Sequence, residues 1–121
     1  MAVTAITPEV LKYNTFDADA LAMTAPTAAA DGFAVDASNI ADGKLLLVFL
    51  NSSVDTAYDV TVKKGNALQG TTDLLKEIAF GDYALVVPES GKFKNATGDD
   101  KGLIKVIPEN SAVKMAAVVL P

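Results

Sequence analysis

Lys44 to Lys64 reads KLLLVFLNSSVDTAYDVTVKK, and its two halves decide the fold. In Tyr58-Asp59-Val60-Thr61-Val62-Lys63-Lys64, the apolar Tyr58, Val60 and Val62 alternate with Asp59, Thr61 and Lys63. A period of two sends alternate side chains to opposite faces, so this half is a strand with one dry side and one wet side. Lys44 to Leu50 has no polar side beyond its first residue. That run suits a central strand covered on both faces. A buried helical segment has the same pattern, but Val48, Phe49 and the flanking Asp42-Gly43 and Asn51 favour the strand.

Working outward from this stretch, the punctuation is regular from Gly32 onward. Turn residues recur at Asp42-Gly43, Asn51-Ser52-Ser53, Lys64-Gly65-Asn66, Gly81-Asp82, Glu89-Ser90-Gly91, Gly98-Asp99-Asp100 and Glu109-Asn110-Ser111. Apolar runs of strand length lie between them, among them Tyr83 to Val87, Leu103 to Ile107 and Ala112 to Leu120. In the last, Val113, Met115, Ala117 and Val119 share a face, and the other face carries Lys114 between small or apolar residues. Thr72 to Phe80 fits a helical stripe (Leu74, Leu75, Ile78) or a strand face (Leu74, Lys76, Ile78, Phe80), with the short strand preferred. The expectation is an all-β fold: an antiparallel β-sandwich, jelly-roll-like or Ig-like, of about seven to eight strands over residues 32–121.

Residues 1–31 differ in being rich in Ala and Thr, with short apolar groups. Thr7-Pro8-Glu9 has the chemistry to open a single helical turn, and Ala25-Pro26-Thr27 forces an extended bend. The segment reads as an extended N-terminal arm ordered by what it lies against. A first edge strand followed by a loop fits the same residues. No basic opening and no long apolar run mark a signal peptide or a membrane span.

The composition excludes much chemistry. The 121 residues are half apolar, enough for one domain with its own core. There is no His, Cys, Trp or Arg. Disulfides, thiolate nucleophiles, His-dependent triads and the usual zinc sites are therefore not expected from this chain alone. The net charge of −5 and the lack of an Arg fork argue against nucleic-acid and anionic-membrane partners.

One stretch looks chemical at first: Gly81 to Phe93, GDYALVVPESGKF. A phosphate-binding loop needs G-x-x-x-x-G-K-[ST] leading into a helix, whereas Gly91-Lys92 is followed by Phe93, and no Gly stands five residues before Gly91. Ser90 has no His to activate it, and Lys92 in a polar turn stays protonated. The segment reads instead as an inner strand, Tyr83 to Val87, ended by Pro88 and reversed at Ser90-Gly91. Asp31, Asp36, Asn39 and Asp42, like Asn95, Asp99 and Asp100, match no calcium loop and read as turn residues. Asp17 and Asp19 read as solubilising charges on the arm. No enzyme activity and no cofactor are expected.

The phrasing LLLVFLNSSVDTAYDVTVKKGNALQGTTDL, then IAFGDYALVVPESGKFKNATGDDKGLIKVIPENSAVKMAAVVLP, resembles the small virion proteins of tailed bacteriophages and related prophages. It covers residues 32–121 as a pattern of strands and turns, with no chemical motif. The resemblance implies a capsid decoration protein that binds the major capsid protein and copies of itself, as a homo-oligomer. It would be made in the bacterial cytoplasm and located on the capsid surface. A small head–tail or tail component, or a carbohydrate- or cell-surface-binding sandwich, is the alternative. Against the sugar reading, Tyr58 and Tyr83 fall at strand positions where burial is expected. Contact with a partner is expected from Val3, Ile6, Val10, Leu11, Tyr13 and Phe16, which would serve an intramolecular core equally well.

Overall fold

The computed structural model describes residues 3–17 and 21–121, so Asp19 lies outside the described residues. Among those described, nine strands form: β1 (Thr4–Ile6), β2 (Glu9–Val10), β3 (Phe33–Asp36), β4 (Leu45–Asn51), β5 (Tyr58–Val62), β6 (Leu74–Ile78), β7 (Tyr83–Val86), β8 (Leu103–Pro108) and β9 (Val113–Val119). A single helical turn, α1 (Ser90–Phe93), joins β7 to β8. Two sheets result, one of five strands in the order β1-β3-β8-β5-β6 and one of four in the order β2-β9-β4-β7. The fold is an all-β sandwich, as expected, and does not close into a barrel. Only β5 and β6 are consecutive within one sheet; every other connection crosses from one sheet to the other.

The core lies between the sheets and follows the alternation in the sequence. Val60 and Val62 from β5, Ile104 and Val106 from β8, and Phe33 and Val35 from β3 point inward from the five-stranded sheet. Leu45, Leu47 and Phe49 from β4 meet them, with Val113, Met115 and Ala117 from β9. Burying each such side chain stabilises by about 1.5–3 kcal/mol, which is why the period-two pattern holds wherever one face is dry.

Gly32 enters β3 at φ 67°, and a Cβ there would collide with the backbone oxygen of Val106. Asn51, wholly buried at the end of β4, is fully used. Its amide donates to the Thr56 and Ile78 carbonyls (2.9 Å each), and its Oδ1 accepts from the Ser53 N–H at 3.0 Å. Asn51 thus ties the turn after β4 to the end of β6 in the opposite sheet.

Four expectations change. The sheets are mixed: the seven strands from β3 onward pair antiparallel with one another, but β1 runs parallel to β3 and β2 parallel to β9. Glu9 joins strand β2 and opens no helix, because pairing with Val118 satisfies its backbone better than a one-turn helix can. Tyr83 to Val86 is an edge strand, since only β4 pairs with it, and Tyr83 is 59% exposed. Ser90–Phe93 forms a helical turn where a plain reversal was expected, held by Phe93 N–H to Glu89 O at 3.1 Å and by burial of the Phe93 ring. The ambiguous segment around β6 is a strand, though only Ile78 of it is buried and Phe80 is 54% exposed.

Candidate interaction surface

The arm is built into both sheets. Thr4 N–H donates to Gly32 O at 3.0 Å as β1 lies along β3. Only Thr7-Pro8 separate β1 from β2, so the chain steps straight across the sandwich to pair with β9. Leu11 N–H continues that pairing, donating to Val119 O at 2.9 Å. The chain then leaves the sheet and turns at Asn14, which sits at φ 57°. It is back on β9 at Thr24, which exchanges both backbone hydrogen bonds with Met115 (2.9 and 3.0 Å).

Residues 11–17 and Leu21 rim an open groove of 560 Å³ whose other wall is Leu46, Val118, Leu120 and Pro121, on the outward side of the four-stranded sheet. The arm projects two aromatic side chains into solvent here, Phe16 fully exposed and Tyr13 76% exposed, while Val10, outside the groove, is 61% exposed. Of the six residues expected to touch a partner, these three are free at the surface and Val3 and Leu11 are half-buried. Ile6 sits in the core, 7% exposed, because β1 turns it between the sheets. The structure therefore gathers Leu11, Tyr13 and Phe16 around one groove and separates Ile6 from them.

Sequence reasoning missed the second half of this surface. The outward face of the four-stranded sheet carries Leu46, Val48 and Leu50 from β4, opposite Val118, Ala116 and Lys114 of β9. Next to them, Leu85 and Tyr83 of β7 stand opposite Val48 and Leu50. The signal was present in KLLLVFL, which lacks a polar side: its second face covers no second core but forms the outside of the sheet. The exposure of Tyr83 also removes the burial argument made against sugar stacking at that residue.

The polar clusters are occupied by local structure. Ser90 N–H donates to Asp42 Oδ1 at 2.9 Å, and hydrogen bonds from Ser90, side chain first and backbone second, hold the Asp42 carboxyl below the usual aspartate value. Lys92 pairs with Glu89 at 3.2 Å. Asp36 accepts from the Ser38 hydroxyl (2.7 Å) and N–H (3.1 Å), which lower its pKa. Asp100 meets Lys105 at 3.6 Å. Among the described residues, no three acidic side chains converge as a metal site, and no helix is long and apolar enough to cross a membrane.

Comparison with family models, with curated proteins and with solved structures gave no match.

Proposed function

We propose that the protein is a non-enzymatic structural component of a tailed-phage virion, of the capsid decoration type. In this reading it binds the major capsid protein, associates with copies of itself and stabilises the head. One observation carries the reading: a fully exposed Phe16, with Tyr13 beside it, rims an apolar groove backed by Leu46, Val118 and Leu120. Backbone pairing at Leu11 and at Thr24 on either side of this stretch lowers the cost of ordering it on contact. Large aromatics at the centre of an interface supply much of its binding energy. The strand-and-turn resemblance to phage virion proteins gives the partner class.

Electron microscopy of purified virions tests this directly. Density for the sandwich should decorate the head surface, with the arm groove facing the shell. Particles assembled with Phe16→Asp should lose the density while the variant keeps its fold in solution. Density at the tail, or none on the particle, overturns the decoration reading.

A further inference from the structure

The sandwich has four outer strand edges, and they are not alike. β1 offers three residues, with Thr4 Oγ1 already accepting from the Thr27 N–H at 2.8 Å, and β2 offers two. β6 carries Lys76 and Glu77 along its length. β7 has no charge between Tyr83 and Val87. Natural sheets protect their edges with charges, short strands or cover, because bare backbone groups on an edge recruit another strand. β7 is the edge with the least such protection.

The phase of its backbone can be read from β4. Asn51 N–H donates to Asp82 O at 3.1 Å, and Gly81 N–H donates to Asn51 O at 2.8 Å, so Asn51 faces β7. Alternation along the ladder then turns the N–H and C=O of Tyr83, Leu85 and Val87 away from β4, toward the open edge. The side chains of the same three residues form an exposed apolar row (59%, 61% and 48%) on the outward face. Beneath this edge the sandwich is unclosed. A slot of 50 Å³ between β6 and β7 reaches Phe49, Val60 and Val62, with Lys76 and Leu85 at its rim.

We propose that β7 pairs with β7 of a second copy, antiparallel and two-fold symmetric, to make one continuous eight-stranded sheet. A partner strand can take up all the outward backbone groups together in place of water, and the sequence of this strand suits its own copy. The register that uses all three outward residues sets Leu85 opposite Leu85 and Tyr83 opposite Val87. No charged residue falls within that paired stretch, so the −5 charge of each chain is not opposed strand to strand. The pairing extends the apolar outward face of β4 and β7 across both copies. It rests on the virion reading only in that copies associate. Because it is measured on the free protein, its failure leaves capsid binding standing, and failure of capsid binding leaves it standing.

The chain has no cysteine, so Leu85→Cys places one thiol against its own copy. Hydrogen-bonded antiparallel partners have Cα atoms about 5.5 Å apart, inside the roughly 4.4–6.8 Å that a disulfide spans. Mild oxidation of the full chain should convert Leu85→Cys to a covalent dimer. Leu75→Cys, equally exposed on β6, should form no covalent dimer. Sedimentation of the unaltered protein should give twice the chain mass, and Leu85→Lys should halve it with an unchanged circular dichroism spectrum. Equal cross-linking at positions 75 and 85, or a dimer that survives Leu85→Lys, overturns the proposal. So does an unaltered protein that stays monomeric up to its solubility limit.

Discussion

The two outward faces of the sandwich solve the same geometric problem with different residues. On the five-stranded sheet, the strand positions that face away from the core carry Asp59 and Thr61 on β5, Glu77 on β6 and Lys105 on β8, with Leu75 and Ile107 among them. On the four-stranded sheet, the matching positions are Leu46, Val48 and Leu50 on β4, Ala116 and Val118 on β9, and Tyr83 and Leu85 on β7, with Glu9 and Lys114 among them. Water solvates the first face at no cost, so it needs nothing beyond the fold. The second face keeps Val48 2% and Val118 3% exposed only through its own neighbours, and it leaves a rim of larger apolar groups in solvent. A sheet face of this kind, next to an exposed aromatic arm, is where association is favoured.

The sharpest way to break this contrast is to put the same charge on each face. Val48→Lys forces a long charged side chain into a position that is 2% exposed and should cost about 2–3 kcal/mol, visible as a large drop in the urea midpoint. Thr61→Lys, on the other face, should stay within about 0.5 kcal/mol. Equal effects at the two sites would erase the distinction. Next in size is Asn51→Ala, which removes the hydrogen bonds to the Thr56 and Ile78 carbonyls where the two sheets are tied and should cost about 1–3 kcal/mol in the same assay.

Smaller still is the acid limb of the polar side. Asp73, on the loop between β5 and β6, meets Lys63 Nζ at 2.8 Å and accepts the Lys64 N–H at 2.7 Å. The Lys63 hydrogen bond first, and then the Lys64 N–H, hold its pKa below the usual aspartate value. A depressed carboxyl stabilises the fold fully above its unfolded pKa and loses that contribution as pH falls through its folded value. Stability should therefore decline below about pH 4, and Asp73→Asn should shallow that decline. At neutral pH the substitution should cost only about 0.5 kcal/mol, because the pair is partly solvated. Phe16→Asp completes the series with no change in unfolding midpoint, since its ring is fully exposed in the free protein. A loss of stability there would mean the arm packs more tightly than its exposure indicates.

Much of this was legible in the residues themselves. YDVTVKK gave its strand and its buried face directly, because a half-wet strand writes its period into the chain. KLLLVFL announced a central strand, but an unbroken apolar run is silent on whether its second face meets a core or a partner. Tyr83 to Val87 reads as an inner strand for the same reason: five uncharged residues look alike at the middle and the edge of a sheet. The parallel pairing of β1 and β2 left no local trace, because it depends on β3 and β9, far along the chain. The arm residues show the limit most plainly. Ile6 and Phe16 are both large and apolar, yet one is in the core and the other is in water, and only the placement of β1 decides between them.

The strand order also bears on how the protein is made. β9 lies between β2 and β4 in the four-stranded sheet, yet it leaves the ribosome after every other described strand. Until it emerges, β4 has only β7 to pair with, and KLLLVFL presents one bare edge and two apolar faces. Such a segment is prone to pair with other nascent chains. Slowing translation before Val113 should therefore raise the insoluble fraction in cells, whereas slowing it before Phe33 should not.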